Sequence, residues 1–202
     1  MGTMVQGRTK ATQDAPFHLV PTSPGEREEL VKLGLLSERG EVRPHAPERL
    51  TRPPSVPRRA TSVPDVLNEA YNYARPSSFS RALSFEVADT KILLISGTAS
   101  VDEEGRTIHA GDFRAQCWRM YRNLTAILTA EDMTWHDVVR TSCYLRDIER
   151  DYRDFNEIRS AFFRWHGLDP LPASTGIQAR LCRDDLLVET EAIAVSRLPA
   201  HS

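Results

Sequence analysis

Two different periods of apolar and polar residues run along the last two-thirds of the chain, and the switches between them mark its elements. Between Leu171 and Val195, Ile177, Ala179 and Leu181 alternate with Gln178 and Arg180. The polar stretch Cys182-Arg183-Asp184-Asp185 follows, and Leu186 to Val195 is then apolar but for two carboxylates and a threonine. This pattern predicts two closing strands joined as a hairpin. Phe79–Val87 alternates in the same way and predicts a first strand, Asp89-Thr90 a turn, and Ile92–Ser96 a buried second strand ended by Gly97. A polar turn over Asp102–Arg106 leads to a short return strand at Thr107–Ala110. A period of three to four takes over in Asp112–Ala130, where Phe113, Cys117, Met120, Tyr121, Leu124, Ile127 and Leu128 form one stripe behind an Asp112 cap. Val138–Leu145 is β-branched and aromatic, a further strand. Asp151–Trp165 is a second helix, with Phe155, Ile158, Phe162 and Trp165 on one face and Gly167 beyond its end.

The resulting order, ββ(β)αβαββ, predicts an α+β fold in which a mixed β-sheet carries two helices on one face. Its other face then has to be covered by partners. Val66–Tyr73 predicts a turn or two of helix before Pro76, which places the folded domain at residues 66–202. Residues 1–65 hold most of the 13 prolines and many charges. Such composition buries too little apolar surface to offset chain entropy, so a Pro/Arg-rich, partly disordered extension is expected. Ser23–Leu36 is the exception. A Ser cap, Pro24 in the first turn, Glu26 three residues on, and Leu30, Val31, Leu35 and Leu36 predict a short amphipathic helix suited to docking on the domain or a neighbouring subunit. The basic run Arg52–Arg59 reads as a solvated linker.

Composition narrows the function classes. A net charge of −2 provides no global field for a polyanion, which argues against nucleic acid. No apolar run approaches a bilayer span, so no membrane partner is expected. Three cysteines without a CxxC, and no apolar leader, point to a reducing, cytoplasmic setting. The six histidines show no HxH, HxxxH or HExxH spacing, and neither a Gly-rich phosphate loop nor a Gly-x-Ser-x-Gly elbow is present. Neither metal nor cofactor is expected.

The carboxylates in the closing strand stand out. Glu189 and Glu191 are two residues apart, so on a strand they share a face, and a carboxylate in an apolar strand is costly unless paired or used. Glu189 is the candidate general acid/base, and Glu191 a structural or intersubunit hydrogen-bonding group. Cys117 and Cys143 fall in core patterns. Cys182 lies in a turn with no histidine close in sequence, and reads as a small turn or core residue.

The segments ISGTAS at 95–100, AGDFRAQCWRMYRNLTAIL at 110–128, DVVRTSCYLRDI at 137–148, FNEIRSAFF at 155–163, and ARL followed by LLVETEAIAV resemble the RidA (YjgF-type, reactive intermediate deaminase) superfamily over about residues 76–197. The resemblance implies a chorismate-mutase-like fold and a homotrimer whose sheets form an inner barrel, with small-molecule ligands bound in the three clefts between subunits. It also implies hydrolysis of enamine or imine intermediates, using an Arg in a Pro-Ala-Arg-Ser-like segment to hold the substrate carboxylate. Here that segment reads Leu171-Pro172-Ala173-Ser174-Thr175, and counting back from Arg180 puts Ala173 at the arginine position. The family's site tyrosine falls near Leu83 and is missing too. A non-standard member is therefore expected. Glu189 is its catalytic residue, and Arg81, Ser96, Gly97, Asn156, Ala173, Ser174 and Cys182 line the cleft, Arg81 offering a substitute guanidinium or else remaining a surface arginine. The CRDDLLVE stretch also resembles the C-terminal part of chorismatases. The expected activity is hydrolase or lyase chemistry on a small imine, enamine or enol-type carboxylate. The alternatives are a chorismatase-like hydrolase and a non-catalytic binding or regulatory protein; an RNA-cleaving protein is the weakest reading.

Overall fold

The computed structural model describes residues 19–43, 46, 55–74 and 76–198. Contacts divide the chain into two units, Met1–Ser55 and Val56–Ser202. In the first, helix α1 (Pro24–Leu33) starts where Ser23 Oγ accepts the Glu26 N–H at 3.1 Å, with proline in its first turn. It stops short of the expected Leu36, because Gly34 turns left-handed (φ 82°) and closes the end on the Leu30 and Val31 carbonyls. The disorder expected for residues 1–18, 44–45 and 47–54 lies outside the described residues.

The second unit holds one six-stranded sheet: β1 (Arg58–Ala60), β2 (Ala82–Val87), β3 (Thr90–Ala99), β4 (Val138–Leu145), β5 (Ala173–Gln178) and β6 (Val188–Arg197). Their order across the sheet is β1-β2-β3-β6-β4-β5. Every pairing is antiparallel except β4 with β5. Helices α2 (Phe113–Ala130) and α3 (Ile148–Trp165) pack on one face. The α+β class, the mixed sheet and the two helices on one face agree with the sequence-based expectation.

Several local expectations did not hold. The closing hairpin is absent: β5 runs parallel to β4 at the sheet edge, and β6 inserts between β3 and β4. The reason is burial. Val188, Thr190, Ala192 and Ala194 of β6 all point into the core, and a strand so buried needs neighbours on both sides, whereas five of the six β5 residues are exposed. Part of the run expected to be linker is β1, whose Arg58–Ala60 pair with Phe85–Leu83. Residues 79–81 precede β2 rather than belonging to it, Val66–Tyr73 contains only a 3₁₀ turn at Ala70–Asn72, and Thr107 makes a lone bridge to Val101. Helix α3 begins three residues before the expected Asp151, capped by Asp147 accepting the Arg150 N–H.

The core lies between sheet and helices. Tyr121 of α2 stacks on Phe162 of α3 at 4.4 Å, and Trp135 meets both rings edge-on. Cys117 and Cys143 are buried there as packing groups, and burial pushes the Cys117 thiol far up. The opposite face of the sheet carries Leu94, Ile193, Glu189, Glu191, Arg140, Ser142 and Tyr144, partly or fully exposed.

Candidate functional site

Glu189 enters the site at the start of β6, opposite Ala99 of β3 and Tyr144 of β4. Its neighbours Val188 and Thr190 face the core, so pleat alternation turns Glu189 and Glu191 to the uncovered side. The ladder between β3 and β6 slips between Ile95 and Thr98, and Gly97 lies in that irregularity. A Cβ at residue 97 would lie 2.0 Å from Glu189 Oε1 and 2.9 Å from its Cδ. Glycine is what lets the carboxyl group lie down on strand β3. Burial pushes that carboxyl above the usual carboxylate range, the Arg81 charge offsets the rise only in part, and Glu191 adds to it.

Arg81 is 6% exposed, and so is not the surface arginine of an edge strand. Its backbone N–H donates to Glu69 Oε2 at 3.1 Å, and its Nε donates to the Asn68 carbonyl at 3.0 Å. The guanidinium carbon lies 5.0 Å from the Tyr73 ring centre and 5.2 Å from that of Phe79. Two aromatic faces thus cage a cation beside Glu189. Ser96 has a supporting part: its Oγ donates to the Ser80 carbonyl at 2.8 Å and its N–H to the Arg81 carbonyl, tethering the segment that carries the guanidinium.

Two residues here, Glu69 and Tyr73, carried no signal in the sequence pattern. Burial raises both the Glu69 carboxyl and the Tyr73 phenol, and Arg81 opposes each shift. Glu69 Oε1 and Tyr73 Oη are buried without a hydrogen-bond partner among the described residues. Tyr73 lies over Gly105, where a Cβ would come within 2.6 Å of its ring, and Arg183 donates to the Gly105 carbonyl. The loop carrying Arg183 is held by Arg146, whose Nε donates to the Leu186 carbonyl at 2.6 Å, and by Gln116, which donates to the Asp185 carbonyl and accepts the Leu187 N–H. A buried, unpartnered phenol, two raised carboxyls and a caged guanidinium can bind an anionic ligand and exchange protons with it.

Within one chain the remaining residues expected in the cleft lie away from Glu189. Asn156 and Ser174 meet through Arg159, whose Nη2 donates to Asn156 Oδ1 and whose Nη1 donates to Ser174 Oγ at 3.1 Å. Ser174 also bonds Thr141 at 3.0 Å, and Thr141 is buried under the helices, so this group sits on the opposite face from Glu189. Ala173 is exposed on edge strand β5, opposite Arg140. Cys182 is exposed in the loop before β6. Within one chain, Arg81, Ser96, Gly97 and Glu189 come together; Asn156, Ala173 and Ser174 form a separate edge.

Residues 74–196 match the family model described as endoribonuclease L-PSP. A RutC family protein of Pyrococcus abyssi is 31% identical over 102 residues, covering 50% of this chain and 76% of the relative. The 2-iminobutanoate/2-iminopropanoate deaminase of Salmonella typhimurium is 30% identical over 106 residues, covering 52% and 80%. The crystal structure of the YjgF gene product from E. coli superposes with a TM-score of 0.55 at 24% identity, over 69% of this chain and 98% of that one.

Proposed function

Because the chain belongs to the YjgF/RidA (endoribonuclease L-PSP) family, we propose that it is an enzyme acting on a small imine, enamine or enol-type carboxylate, with Glu189 as proton donor and acceptor and Arg81 as anion anchor. The observation that carries this reading is the Glu189 carboxyl seated on Gly97, raised by burial, beside a guanidinium caged by Tyr73 and Phe79. For an imine, protonated Glu189 donates to the substrate nitrogen. The carboxylate so formed takes a proton from water as its oxygen adds to the imine carbon. The carbinolamine then expels ammonia and leaves the keto acid. A raised carboxyl suits both transfers, because it is populated in both forms closer to neutrality. Arg81 and the Tyr73 hydroxyl hold the substrate carboxylate, the role that Ala173 cannot fill.

The reading includes a homotrimer in the cytoplasm. The half-apolar face around Leu94 and Ile193 is the surface it would bury. In this reading one subunit's Glu189 meets, across that face, the next subunit's β5 edge, where Ala173, Ser174, Asn156 and Arg159 lie.

The test is ammonia release from a 2-imino acid generated in situ, with wild type, Arg81→Gln, Glu189→Gln and Ala173→Arg compared. Wild-type turnover that falls in Arg81→Gln and Glu189→Gln supports the proposal. An inactive wild type with an active Ala173→Arg variant means an intact cleft diverted to another ligand, and enol ethers of small dicarboxylates become the next substrates. Inactivity of all four proteins on both substrate classes, with small carboxylates still bound at the cleft, would establish the non-catalytic alternative.

A further inference from the structure

On the helix side of the second unit, α2, α3 and residues 62–66 enclose a groove of about 760 Å³, within the size range of small-molecule sites. It lies across the sheet from Glu189 and shares no residue with that cleft. Its walls are aromatic: the Phe162 ring lies 6.2 Å from that of Trp118 and 6.3 Å from that of Trp165. These tryptophans are 44% and 79% exposed, large apolar areas to leave in water. Val63 closes the side formed by the segment between β1 and β2.

Of the polar groups that line the groove, among them the exposed Asp65 carboxylate, two identify the ligand class. The His166 ring packs on Phe162 at 4.6 Å and on Trp165 at 4.7 Å, and its Nε2 is buried without a hydrogen-bond partner among the described residues. Arg122 lines the same groove and takes part in no hydrogen bond or ion pair among the described residues. Burial lowers the His166 pKa, which leaves Arg122 as the groove's cation. We propose that this groove is a second binding site, for a small amphipathic carboxylate whose aromatic or aliphatic body lies between the two indoles while its anionic head meets Arg122 and His166.

Trp118 and Trp165 are two of the three tryptophans, and Trp135 is buried, so intrinsic fluorescence reports the groove. The full-length protein is titrated with 4-phenylbutyrate and with the neutral 4-phenylbutan-1-ol. Saturable quenching is expected from both, with the acid binding about tenfold more tightly, a charge-assisted contact. Arg122→Gln brings the acid to the affinity of the alcohol, and Thr129→Phe, an exposed change that fills the groove, removes both signals while the helical circular dichroism is kept. Equal affinity for acid and alcohol in wild type overturns the proposal. So does binding unchanged by Thr129→Phe, or an absence of saturable quenching. A concentration-dependent emission shift without probe would put a second copy of the chain in the groove, and overturns it as well.

Discussion

Glu189 owes its chemistry to an absent side chain next door. Gly97→Ala is expected to push the carboxyl off strand β3, because its Cβ would occupy the place of Oε1. The displaced atom is the far end of a flexible side chain, so thermal stability should change little. Activity should fall about 10²-fold or more, the usual contribution of a positioned proton-transfer group. Ammonia-release kinetics beside a melting curve check both halves. Glu189 also sets a pH dependence. Its folded-state pKa is raised, so the folded protein holds the proton more tightly than the unfolded chain. That contribution to stability is complete below the unfolded value of 4.5 and is lost as pH rises through the folded value. Glu189→Gln should therefore flatten stability against pH just above 4.5, seen in denaturant midpoints, with Glu69, raised in the same direction, retaining the remaining slope. Neither Glu69 nor Tyr73 was legible as a site residue. They lie in an irregular segment whose only sequence mark is a short aromatic run before Pro76, and no periodicity says where such a segment will lie.

Among the elements, β1 is the least expected, and one buried carboxylate secures it. Glu131, just past the end of α2, accepts from Thr61 Oγ1 at 2.6 Å and pairs with Lys91 at 2.8 Å and Arg59 at 2.7 Å. Burial alone would raise its carboxyl; Lys91, Thr61 and Arg59 outweigh this and hold it below the usual range. Its stabilising contribution is thus present above 4.5 and lost as pH falls. Glu131→Ala should cost about 2–4 kcal/mol, since it removes the counter-charge of half-buried Lys91, leaving its Nζ only the residue-131 carbonyl, and strands the Thr61 hydroxyl. Hydrogen exchange should show β1 opening before the rest of the sheet. Helix α2 answers to packing. Leu124→Ala, at a side chain with no exposed surface, should cost about 2–5 kcal/mol in chemical denaturation.

Among its described residues the second unit leaves one sheet face open, and Leu94 and Ile193 face each other across β3 and β6 on it. If three chains close that face, wild type should elute at about three times 22.8 kDa by light scattering. Ile193→Glu should yield a folded monomer, because a carboxylate buried in an apolar interface has no partner. A monomeric wild type would remove the intersubunit cleft from the proposal.

What the chain carried openly was everything that repeats locally. The stripe of period three to four from Phe113 to Leu128, the alternation in Phe79–Val87, the β-branched run of β4 and the Asp112 cap are short-range patterns, and from them the helices, most strands and the α+β class could be read. The same alternation showed that Glu189 and Glu191 share a face. Strand order was not readable, because β5 and β6 are adjacent in sequence yet flank β4 on opposite sides instead of pairing with each other, an outcome set by how much of each strand must be buried. The site was only half readable for the same reason. Glu189 and Gly97 lie in patterned strands, but the Tyr73 and Phe79 cage around Arg81, the unpartnered Glu69 oxygen and the Arg159 bridge between Asn156 and Ser174 arise where irregular segments and helix faces meet in space. Such encounters depend on distance through space, which periodicity along the chain does not encode.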